Sequence, residues 1–148
     1  MSKCGYKYSE LGELKIYTRI VRSSLFLLEE ERVVLLFILD RTIGWHKVWN
    51  TNSSGQFVGG VKRRRKGKRV VVASGTHLTS DQVNGALMRL LEREAIEIER
   101  FGKKVAYKIN EYWCHPDLQE LGMWEVNESD FDYGHEQGTS GRRSRPAE

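Results

Sequence analysis

The 148 residues are 39% hydrophobic and 30% charged, a globular composition whose length suits one core and an appendage. The formal charge of +4 hides an uneven split: residues 1–116 carry 21 Lys/Arg against 12 Asp/Glu, and residues 117–148 carry 3 against 8. A basic body with an acidic tail points to a polyanionic partner, and the longest apolar run, Val33 to Leu39, is far too short for the ~20 residues that cross a bilayer.

Residues 1–15 are polar and read as an N-terminal arm, and Met1 to Gly5 lacks the apolar core of a signal peptide, so the expected location is cytoplasmic. Cys4 and Cys114 stand far apart, which supports neither a disulfide framework nor a zinc-knuckle spacing. Ile16 to Leu28 has an irregular apolar pattern that suggests a short strand or turn. Whether that apolar segment packs internally or against a second subunit, as a homodimer, stays open at this level.

A long helix is expected from about Glu29 to Thr42. Glu29, Glu30 and Glu31 suit the positive end of its dipole and Arg41 the negative end, while Val33 to Leu39 cover nearly every face. Gly44 is the expected cap, with Trp45 folding back onto the last turn. A short second helix can begin at Asn52 or Ser53, bury Phe57 and Val58, and end at Gly59-Gly60.

From Lys62 to Arg69 seven of eight residues are cationic: Lys62, Arg63, Arg64, Arg65, Lys66, Lys68 and Arg69. Such a run attracts a polyphosphate by releasing condensed counterions and carries no sequence preference. Its bland reading is a solvated basic loop, with Val70-Val71-Val72 as a brief strand. Thr79-Ser80-Asp81-Gln82 is a capping box, and Val83, Ala86, Leu87, Leu90 and Leu91 then share one helical face. Asp81, Asn84, Gly85, Met88, Arg89 and Glu92 lie toward the other. Ile96 and Ile98, then Val105, Tyr107 and Ile109, alternate as strands do, and Arg100-Phe101-Gly102-Lys103-Lys104 supplies the turn. Tyr112 and Trp113 are placed to cover the core, Pro116 marks its end, and residues 117–148 read as an acidic, largely disordered tail.

Buried helix, short helix, capped helix and basic-tipped hairpin predict an α+β fold: a winged helix-turn-helix over residues 16–116, mainly helical, with a C-terminal two-stranded wing and a flexible tail. Asp40-Arg41-Thr42-Ile43-Gly44-Trp45-His46-Lys47 also resembles the R-K-T-x-G-W-x-K signature of phage and plasmid replication initiators of the O-protein type. Ser54-Gly55-Gln56-Phe57, Ser80 to Leu91 and Tyr107-Lys108-Ile109-Asn110 follow in matching order, so the resemblance covers about residues 16 to 113. Glu94-Ala95 stands where those proteins carry a glycine before the wing, and the region after the wing is short.

The resemblance implies sequence-specific binding of double-stranded DNA by a replication-initiator-like or regulatory protein of a phage or mobile element, acting in the bacterial host cytoplasm. It also implies a host replication or transcription protein as partner of the tail. Ser80, Gln82, Asn84 and Arg89 are the candidates for base edges and nearby phosphates, since Arg suits guanine and Asn or Gln suits adenine. The Lys62 to Arg69 run, with Arg100, Lys103 and Lys104, supplies affinity without sequence preference. Two alternatives stand beside this: a small winged-helix transcription regulator, and a module that binds and modulates a host protein through a mixed surface around Asp81, Met88 and Glu92. Trp45 and Trp49 read as structural aromatics rather than base-stacking ones. An enzyme is not expected. His46, His77, His115 and His135 are scattered, no catalytic constellation or metal-spaced cluster is visible, and no cofactor is implied.

Overall fold

A computed structural model describes residues 9–122; residues 1–8 and most of the acidic tail lie outside the described residues. Helix α1 spans Glu10–Ser24 and begins where Ser9 accepts a hydrogen bond from the Gly12 amide at 3.0 Å. It therefore takes in residues 10–15 of the expected arm and most of the segment expected to hold a strand or turn. Ile16 and Ile20 face the core one turn apart, but Tyr17, Thr18 and Val21 between and after them blur the helical period. Helix α2, Glu29–Arg41, matches its expected range and buries Val34, Leu35, Phe37, Ile38 and Leu39. It ends at Thr42 and runs into a single 3-10 turn, Ile43–Trp45. The left-handed residue that closes this turn is His46, with φ 57°, rather than the expected Gly44.

Strand β1 is Asn50–Thr51 and helix α3 is Ser54–Gly59, opened by a capping box between Ser53 and Gln56. Phe57, 1% exposed, joins the layers: its ring lies 4.9 Å from that of Phe37 and 5.2 Å from that of Tyr107. Burying such a ring contributes about 1.5–3 kcal/mol. The cationic run is not a loop, and Val70-Val71-Val72, expected as a brief strand, lie within a longer one. Strands β2, Gly60–Arg65, and β3, Lys68–Ser74, pair as an antiparallel hairpin around a two-residue turn in which Lys66 and Gly67 both have positive φ, 51° and 79°. This is the backbone that tight hairpins require. The hairpin root is buried at Val61 and Ala73, and the chain from Lys62 to Val71 is exposed. A Cβ on Gly75 would sit 2.3 Å from the Val58 carbonyl oxygen, so the two backbones touch at this root.

Helix α4, Ser80–Glu92, has the predicted capping box from Thr79 and buries Val83, Ala86, Leu87 and Leu90. Leu91, expected in that face, is 40% exposed. Strands β4, Ile96–Phe101, and β5, Lys104–Ile109, form the predicted hairpin, and β1 pairs with the far edge of β5 to give the order β1-β5-β4. Ile96, Ile98 and Arg100 share one face with Ile109, Tyr107 and Val105. Glu94, at the position where the resembled initiators carry glycine, holds φ 65°, a left-handed geometry that glycine adopts with less strain. Trp113 covers the core as expected, whereas Tyr112 is exposed. Helix α5, Pro116–Glu120, occupies the start of the expected tail and is capped by His115. The result is an α+β fold with two small antiparallel sheets. No described helix is long and apolar enough to cross a membrane.

Candidate nucleic-acid interface

Three groups of predicted site residues occupy different electrostatic surroundings. The first is the β2–β3 arm. Its register places Arg64 opposite Arg69 and Arg65 opposite Lys68, so two cross-strand pairs are like-charged. Directly opposed like charges destabilise an antiparallel pair. Among the described residues, no carboxylate comes within ion-pair distance of Lys62, Arg63, Arg64, Arg65, Lys66, Lys68 or Arg69. The arm's cations are thus held close together and uncompensated by carboxylates among the described residues.

The second group lies on α4 and behaves in the opposite way. Arg89 donates from Nε to Glu31 at 2.7 Å and from Nη2 to Glu30 at 3.2 Å, while Arg93 donates from Nε to Glu31 at 3.1 Å. Glu31 is 0% exposed, so two half-exposed arginines compensate a carboxylate that helix α2 carries into the interior. Gln82 uses its carbonyl oxygen in the capping box and donates from Nε2 to Glu30 at 3.0 Å. Arg89 and Gln82, both expected at base edges or nearby phosphates, are therefore turned onto α2. Helical periodicity places a residue on a face, but only the neighbouring helix decides whether a long side chain bends back. Gly85 is not packed against another helix; a Cβ there would meet only the Arg89 guanidinium, at 3.4 Å. Ser80, Asp81, Asn84 and Met88 remain exposed on α4.

The third group meets in a cleft of about 560 Å³ lined by Thr51, Asn52, Ser53, Ser54, Gln56, Arg63, Lys103, Lys104, Val105 and Tyr107. Arg63 comes from the β2–β3 arm, and Lys103 and Lys104 from the β4–β5 turn. Side chains far apart in sequence, three of them cations from two separate basic segments, thus line one space with no carboxylate among them. Asn52 is buried, accepts from Asn50 and donates to Gln56 at 3.0 Å, so the polar floor is fixed by its own hydrogen bonds. Tyr107 closes the apolar side against Phe57; burial raises its pKa above the usual phenol value, and the Arg100 charge opposes that rise. Arg100 lies on the same sheet face as Tyr107.

No protein family, curated protein or solved structure matches the chain.

Arg41, in the segment that carries the sequence resemblance, went unnoticed as a site residue. It is 3% exposed, its Nε and Nη1 have no hydrogen-bond partner among the described residues, and its guanidinium lies 5.4 Å from the centre of the Trp45 ring. Desolvation lowers its pKa, with Asp40 opposing and Arg63 adding to the fall. Trp45 is exposed, contrary to the buried role expected of it, and Trp49 is half-buried with Lys108 over its ring at 5.5 Å. Among the described residues, no three His, Cys, Asp or Glu side chains gather as a metal site.

Proposed function

We propose that this chain is a sequence-specific DNA-binding protein built on a winged helix, with the β2–β3 arm as a second, strongly basic wing. The order α2, β1, α3, α4, β4, β5, with β1 against β5, supports this: α4 takes the place of the recognition helix and β4–β5 that of the wing. The observation that carries the DNA reading is the arm itself. Its opposed cations repel one another and have no carboxylate at ion-pair distance among the described residues, a cost that a polyanion offsets on binding. Ser80, Asn84 and Met88 are the α4 side chains left for base edges, while Arg89 and Gln82 act mainly on α2. With the sequence resemblance, this supports a replication-initiator-like or regulatory role in a phage or mobile element.

The test is binding of the purified chain to a labelled duplex across a salt series, beside a variant with Arg64, Arg65, Lys68 and Arg69 changed to Gln. Salt-sensitive binding is expected, with a log–log slope that shrinks by roughly 0.9 for each phosphate contact removed. Unchanged affinity and slope in the variant would overturn the reading.

A second reading, recognition of a host protein, draws on Met88 at 61% exposure and Leu91 at 40% on α4, a helix whose arginine is turned away. Leu91→Glu would abolish capture of that protein and leave duplex affinity in place.

A further inference from the structure

We infer that the cleft between the two hairpins grips the sugar-phosphate backbone of a single DNA strand, with Arg63 on one side and Lys103 and Lys104 on the other. The inference rests on the DNA-binding reading above and adds to it a place and a stoichiometry: one strand, held from two sides. Arg63, Lys103 and Lys104 line one cleft, no carboxylate shares that lining, and none of the three makes an ion pair among the described residues. Hydroxyls of Thr51, Ser53 and Ser54 complete the wall. Ser53 Oγ already accepts from the Gln56 amide, and its hydroxyl proton can still be donated to a phosphate oxygen.

Size selects the ligand. A space of about 560 Å³ falls within the ~300–1,000 Å³ range of small-molecule pockets, which admits a nucleotide-sized piece of one strand and not a duplex. A strand presents one phosphate per about 3.4 Å of helix axis, so three cations across such a cleft meet a short run of consecutive phosphates. The floor is preorganised, because Asn52, Gln56 and Ser53 are hydrogen-bonded to one another. Arg64 provides an internal contrast: it lies next to Arg63 in sequence but on the opposite face of the ribbon, and does not line the cleft.

The test uses the full chain, a labelled mixed-sequence duplex and one of its strands alone. Ser54→Glu places a carboxylate in the cleft at the first residue of α3, where an anion is compatible with the helix, so the melting temperature should hold. Affinity should fall by at least about tenfold on duplex or on single strand, because like charge faces phosphate. Arg63→Gln with Lys104→Gln should lose less than the product of the single losses, by about threefold or more, because both residues act on the same phosphates. Arg64→Gln with Lys104→Gln should lose the full product. Ser54→Glu binding both DNAs like the parent, or Arg63 and Lys104 combining as independently as Arg64 and Lys104, would overturn the cleft while leaving the DNA reading intact. Absence of salt-sensitive binding by the parent chain would overturn both.

Discussion

Two groups of basic residues in this molecule obey opposite rules. On α4 and at its C-cap, Arg89 and Arg93 close onto Glu31, a carboxylate fully inside the protein, and Glu30 adds a further contact to Arg89. On the β2–β3 arm, Arg64 faces Arg69 and Arg65 faces Lys68 without any carboxylate at ion-pair distance among the described residues. The first arrangement satisfies its charge internally and so serves the fold. The second leaves charge uncompensated in a place where solvent or a ligand can reach it. Cationic density alone therefore says little about function; the sign of the neighbours decides.

The comparison breaks most easily at the α2–α4 contact. Changing both Arg89 and Arg93 to Met leaves Glu31 buried and unpaired, and stability should fall by about 3–5 kcal/mol in chemical denaturation. Any loss of DNA affinity should then follow the unfolded fraction; a large loss in fully folded protein would return Arg89 to the interface. Next in size is Gly75→Ala, which sets a methyl against the Val58 carbonyl and the Gly60 amide at the root of the arm. Overpacking of this kind costs about 1–3 kcal/mol, and hydrogen exchange should show the loss first at the Thr76 and His77 amides, which bond to Phe57 and Val58. Uniform exchange throughout would mean that the arm is not a separately rooted element.

Neutralising Arg64 and Arg65 should act in the opposite direction on stability. Relief of two like-charged pairs should raise the unfolding free energy by roughly 0.2–1 kcal/mol, with the gain shrinking as salt is added. A drop in stability would mean that the arm's charges are compensated after all. A similar gain, about 1 kcal/mol, is expected from Glu94→Gly, which relieves the left-handed backbone before the wing. A melting curve for each variant decides both.

The smallest expected effect concerns pH. His115 is buried and its Nδ1 accepts from the Asp117 amide at 3.1 Å, a bond that needs the ring unprotonated at that nitrogen. Burial lowers its pKa, Asp117 opposes this, Arg93 adds to the lowering, and Glu31 opposes it. The unfolded chain therefore binds the proton more readily than the native one. This contribution to stability is complete above the unfolded pKa near 6.5 and is lost as pH falls through the lower folded value. His115→Asn, which keeps a capping side chain, should flatten the melting temperature between pH 7 and pH 5; an unchanged slope would assign the pH response elsewhere.

Much of the fold was legible along the chain. The Thr79 to Gln82 box, the alternation in Ile96–Ile98 and Val105–Ile109, and the apolar run of α2 are local signals with local causes, and each element formed where they placed it. Helix α1 was not legible, because only Ile16 and Ile20 mark its buried apolar face. The arm was missed as a hairpin because Lys62 to Arg69 lacks the apolar alternation of a half-buried strand; a ribbon exposed on both faces has no such pattern to show, and only Gly67 hinted at a turn. Of the candidate site residues, Arg63, Lys103 and Lys104 share a cleft that no spacing in the sequence could announce.

By itself the sequence determined where charge concentrates, where helices begin and which segments alternate, because capping, periodicity and counterion attraction depend on residues close together in the chain. Only the tertiary structure decided which cations are already spoken for. Arg89 and Arg64 look alike in sequence, yet one meets Glu31 across a helix pair and the other meets Arg69 across a ribbon, and Coulomb energy is set by distance in space and by the polarity of the medium between the charges.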